Sequence, residues 1–157
     1  MLSDIGMLFE PPAVVAPPTD RRLTRRFVDI WMMRARGGFP SWAEISNAHL
    51  GDDRNWLFAV DLARSAGFPY FIFLGDHLAK LSDVYLCGDT DWTLTLLDKA
   101  VGDIEACIEA RAPRLREDEI TLCDGRRILF RSVAAPLADD GERFTHVAGV
   151  VNGKFAD

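Results

Sequence analysis

The side chain best placed for chemistry is His77, which follows an apolar run at 70–74 after Gly75 and Asp76. A haem iron would need its neutral imidazole facing a large apolar cavity. A cyclase, isomerase or dehydratase would instead pair it with a carboxylate, here Asp76 or Asp83, for proton transfer. The plainer reading is a surface or capping histidine at a strand end, and that reading is preferred. His146, beside Thr145, suits a polar position on a half-buried sheet, and His49 carries no readable role. Asp83, Asp89 and Asp91 are the one dense acidic group, but they lack the tight glycine turn and closing bidentate glutamate of a calcium loop. Capping of a following helix by Asp89 or Asp91 is the simpler account. Cys87, Cys107 and Cys123 form no C-x-x-C pair, which suits a reducing compartment and argues against a disulfide framework or a zinc site. No phosphate loop, H-E-x-x-H or G-x-S-x-G element occurs. No metal site and no catalytic residue are therefore expected, and the chain is not expected to be an enzyme.

A second group concerns binding. Phe71 and Phe73 share a face if their strand alternates. Phe130 and Ser132 share a face of a later strand. Together they could line a cavity for an apolar ligand held by one hydrogen bond. Filling the core is the commoner fate of phenylalanine, and both readings stay open.

The elements that must position these residues follow from periodicity. Residues 1–19 read as a tail, because Pro11, Pro12, Pro17 and Pro18 deny helical hydrogen bonds. Its Met7, Leu8, Phe9, Val14 and Val15 allow a second reading, an apolar strap on this domain or a partner. A helix is expected at about 20–36, capped by Asp20. Leu23, Phe27, Ile30 and Trp31 fall on one face of it, and Gly37 and Gly38 end it. Residues 39–54 read as an irregular connection with one short turn. Strands are expected at 56–62 and 70–74, with a turn near Gly67 between them. Short helical pieces should fill 76–90. A helix of about five turns should follow from Asp91 to Pro113, with Leu94, Leu97, Val101, Ile104 and Ile108 as its apolar stripe. Strands at 114–123, 127–137 and 144–151 should form a meander, joined by a type I′ turn at Asp124-Gly125 and a turn at Asp139-Asp140-Gly141.

Composition narrows the classes further. At 157 residues, 48% hydrophobic and 27% charged, one core of ordinary composition is expected. A net charge of -6 argues against nucleic-acid binding, and the short cluster Arg21, Arg22, Arg25 and Arg26 reads as the polar stripe of a helix. No basic segment precedes an apolar run, and no apolar stretch approaches the ~20 residues that span a bilayer. A cytoplasmic protein without membrane insertion is expected.

The order helix, two strands, short helices and one longer helix, then three strands resembles the PAS fold over residues 55–152. Ile30-Trp31, Arg36-Gly37-Gly38-Phe39-Pro40, the 70–75 strand, and Pro136-Leu137 before Asp139-Asp140-Gly141 resemble, more closely, small single-domain bacterial PAS sensory proteins. The resemblance implies an α+β fold, a five-stranded antiparallel sheet with helices on one face, plus the N-terminal helix. It turns Phe71 and Phe73 toward the helices, with His77 near the pocket. It implies a stand-alone signalling module that acts in trans on a protein such as a sensor kinase. Such a module binds a small ligand or dimerises through the outer sheet face. Phe27, Ile30, Trp31, Tyr70, Ile72 and Leu74 are the candidates for that helix-docking or dimer contact, and a homodimer is expected. The sequence requires no cofactor: the cysteine motif of flavin-adduct PAS relatives is missing at Cys87 and Cys107, and haem is not favoured. The alternative is a small cone-fold cyclase or isomerase using His77 with a nearby aspartate.

Overall fold

The computed structural model describes residues 17–66, 68–81, 95–101, 104–122 and 124–156. Their elements, in order, are α1 (Pro17–Ala35), α2 (Trp42–Ser46), a 3-10 turn (Gly51–Trp56), β1 (Leu57–Asp61), β2 (Phe71–Leu74), α3 (Asp76–Leu81), α4 (Leu96–Val101), α5 (Ile104–Ala110), β3 (Arg114–Thr121), β4 (Arg127–Leu137) and β5 (His146–Ala156). The strands form one antiparallel sheet in the order β2-β1-β5-β4-β3. The last strand therefore lies in the middle, and β2 and β3 are the edges.

Both faces of the central strands are covered. Phe58, Val60, Ile128, Phe130, Val147 and Val151 pack under α3, α4 and α5 through Leu78, Leu81, Leu96, Leu97, Val101 and Cys107. On the opposite face, Leu57, Ala59, Val133, Ala135, Leu137, Ala148 and Val150 pack under α1 through Leu23, Phe27 and Trp31. A row of small residues seats that helix. Ala59 pairs with Ala148, and Ala148 with Ala135, so three alanines stand side by side across β1, β5 and β4. Phe27 is 1% exposed. Burying one such side chain stabilises by about 2 kcal/mol, whereas a surface ion pair contributes about 0–1 kcal/mol. The seat of α1 thus rests on Leu23, Phe27 and Trp31 more than on the Arg26–Asp53 pair, 2.7 Å, that ties it to the 3-10 turn.

Local chemistry sets the element ends. Ser41 and Glu44 form a capping box that starts α2 inside the stretch expected to be irregular. Thr95 and Asp98 exchange the same pair of bonds at the start of α4. α1 begins at Pro17, earlier than Asp20, because the first N–H groups of a helix have no intrahelical partner and proline loses nothing there. Its end is marked by positive φ at Arg36 and Gly37.

Two further expectations need correction. The alternation of β2 breaks at a bulge: Ala59 pairs with Phe73 and Val60 with Phe71, which leaves Ile72 as the extra residue. Phe71 and Leu74 consequently face α3–α5, while Ile72 and Phe73 face α1. Phe71 and Phe73 do not share a face, and Leu74 does not join Ile72. The β3–β4 turn is not type I′, because among the described residues positive φ outside glycine is confined to Arg36 and Arg111. Instead, Leu122 N–H donates to Arg126 O, Gly125 N–H donates to Leu122 O, and Gly125 is left-handed, at φ 88°, while Asp124 is not. Of the helix expected from Asp91, residues 91–94, 102 and 103 lie outside the described residues, while α4 and α5 carry its stripe through Leu97, Val101, Ile104 and Ile108, with Cys107 fully buried beside them.

Candidate functional site

The proposed pocket residues do not converge. β2 and β4 are three strand spacings apart, about 14 Å, so Phe71 and Phe130 belong to opposite halves of the helix-side core. Phe71 meets Phe58 edge-on at 6.4 Å. Phe130, 4% exposed, is part of the core. Phe73 lies on the other face, against Trp42 at 5.9 Å and under the Arg54 guanidinium at 5.8 Å. The candidates therefore divide into an aromatic corner near β2 and a polar cleft near β3.

His77 forms the aromatic corner. It sits in the first turn of α3 and stacks on Trp56, with ring centroids 4.7 Å apart and planes 30° from parallel. Its Nδ1 is buried and has no hydrogen-bond partner among the described residues. The carboxylate that a histidine-dependent enzyme would place on that nitrogen is not supplied there by Asp76. Asp83 lies outside the described residues, as do Asp89, Asp91, Cys87, Cys123, Leu94, Gly67 and residues 1–16. His146 Nδ1 is 2.9 Å from Thr145 Oγ1 and 3.6 Å from Asp139, at the sheet end.

The residues proposed for docking are mostly engaged within the chain. Phe27 and Trp31 are buried between α1 and the sheet, with Ile30 and Ile72 partly buried beside them. Trp31 Nε1 donates to the Pro136 carbonyl at 3.0 Å. Tyr70 stays 46% exposed beneath the Arg64 guanidinium. The large apolar side chains that α1 presents to solvent are instead Met32 and Met33, 60% and 68% exposed. They fall outside the three- and four-residue stripe of Leu23, Phe27 and Trp31, and that offset was the available signal.

Two clefts flank the β3 edge. One, about 660 Å³, lies between α1 and the outer face, where Thr24, Val28, Leu115 and the Glu117–Arg131 ion pair line it. The other, about 270 Å³, lies on the helix side and is lined by Arg114, Arg116, Ser132 and Ala134 from the sheet and by Val101 and Ala106 from α4 and α5. Arg114 pairs with Ala134 and Arg116 with Ser132, so all four point to one face. Sequence reasoning found Ser132 and missed the two arginines. Their spacing of two on a strand, in step with Ile120 of the helix-side core, was the signal.

Among the described residues no helix is long and apolar enough to cross a membrane, and no group of three or more His, Cys, Asp or Glu side chains is arranged to hold a metal ion. No protein-family model matches the chain, and no curated protein matches it in sequence.

Proposed function

We propose that the chain is a PAS-type sensory module that signals in trans through protein contacts, with a small ligand held between sheet and helices. The observation that carries this reading is the sheet order β2-β1-β5-β4-β3, with the described helices between β2 and β3 packed on one face. That arrangement puts a helical layer over a central strand pair, where a ligand-dependent shift of the layer would be felt by the whole sheet. A fold hosts many roles, so the site must carry the rest. The contact surface is the Met32–Met33 flank of α1: methionine is flexible and polarisable, and suits an adaptable apolar contact. A cytoplasmic homodimer whose output is a separate signalling protein, such as a sensor kinase, is the form the module takes. No catalytic step is assigned to it.

Native mass spectrometry of gently purified protein tests the reading. A dimer is expected, carrying a non-covalent adduct that is lost on denaturation. A monomer without adduct, joined to a His77-dependent turnover of a small carbonyl substrate, would replace this reading with the cone-fold enzyme.

A further inference from the structure

We propose that the helix-side cleft at the β3 edge binds a small organic monocarboxylate, anchored by Arg114 and Ser132. The inference rests on the sensory reading and names the ligand's chemistry. Ser132 is 4% exposed, lines the cleft, and makes no hydrogen bond through its hydroxyl among the described residues. That hydroxyl opens into the cleft rather than being sealed in the core, so an acceptor seated there would meet a donor that no described group of the chain engages.

Charge then selects the class. Arg116 is held by the Lys99 carbonyl at 3.1 Å and by the Asp118 carboxylate, which offsets its charge. Glu117 lies on the other face with Arg131. Arg114 makes no ion pair among the described residues, so the cleft carries one uncompensated positive charge at its rim. One such charge matches one carboxylate, which guanidinium grips with two parallel hydrogen bonds. Val101, Ala106 and Ala134 supply an apolar wall for the acid's body. At about 270 Å³ the cleft falls below the ~300–1,000 Å³ of sites for drug-sized ligands, which limits the occupant to a small acid.

Titration of the ¹⁵N-labelled full chain with benzoate tests this, with benzamide and inorganic phosphate in parallel. Benzoate is expected to shift the amides of Val101, Ala106, Arg116, Ser132 and Ala134 saturably, benzamide to leave them unmoved, and phosphate to act without saturation. Ser132→Ala should weaken benzoate about fivefold to tenfold, and Arg114→Gln at least about tenfold. Both variants keep the fold, since one removes an unpaired hydroxyl and the other an exposed charge, and the unliganded spectrum verifies it. No saturable shift at tens of millimolar benzoate, a shift map elsewhere, or equal affinity in both variants would overturn the site. Saturable phosphate binding with the same dependence would overturn the carboxylate assignment. If the native dimer persists while benzoate fails, this site falls and the module reading stands.

Discussion

Trp31 and Pro136 join the N-terminal helix to the sheet through a buried hydrogen bond, from the indole N–H to the proline carbonyl at 3.0 Å. The two residues are separated by 105 positions in the chain, so this bond reports the docking of α1 directly. Replacing Trp31 with Phe keeps an aromatic ring and removes the donor. The carbonyl then loses its partner, and urea unfolding should show a loss of about 1–3 kcal/mol. An unchanged midpoint would mean that α1 is not docked as described.

The alanine row makes a complementary case. Ala148 is fully buried between Ala59 and Ala135 on the face under α1. Ala148→Leu should lift the helix and destabilise by about 1–3 kcal/mol, with faster amide exchange along α1. Full stability would show that the helix has room to spare over that row.

Gly149 tests the packing on the other face. A Cβ there would lie 1.9 Å from the Val133 carbonyl oxygen and 2.8 Å from the Phe58 ring. Gly149→Ala should therefore cost more than about 3 kcal/mol. Gly141→Ala, where φ is +81° and nothing lies within 4 Å, should cost only about 1–2 kcal/mol of backbone strain. Thermal melts of the pair check the ordering.

Much of this architecture was legible in the sequence, and the parts that were not have identifiable causes. The five strands were found because alternating apolar residues and turn residues mark them, although β5 runs on to Ala156, past the expected end at 151. The bulge at Ile72 was not, because a fully apolar run has no polar residues to betray a shift of register. Its consequence was the misplacing of Phe73 and Leu74. Pro17 and Pro18 were assigned to a tail, although a helix tolerates proline in its first turn. The cleft beside Ser132 was half visible: the buried serine stood out, whereas Arg114 and Arg116 passed as ordinary strand surface. Which strand lies at the edge depends on β1 pairing with β5, a contact between distant segments that local pattern does not encode.

The two aspartates of the hairpin turns give a pH signature. Asp140 accepts hydrogen bonds from the backbone N–H groups of Arg143 and Glu142, each at 2.8 Å, and these hold its carboxyl below the usual aspartate value of 3.8. Asp124 is held down likewise, chiefly by the Arg126 backbone N–H. A depressed folded value means the charged form favours the native state. The contribution is fully present above the ordinary value and fades as pH falls through the folded one. Carboxyl NMR titration should place both midpoints below 3.8, and Asp140→Asn should flatten the acid limb of the stability curve. A midpoint at or above the ordinary value would remove the turn bonds from the account.

Sedimentation equilibrium of the wild type beside a Met32→Glu/Met33→Glu variant is the most direct test of a module that works through protein contacts. The wild type should sediment at twice the chain mass of 17.5 kDa, and the variant at the chain mass, with unchanged circular dichroism. A wild type that stays monomeric at every concentration, or a variant that dimerises as tightly, would contradict the assignment of that surface and the dimeric module built on it.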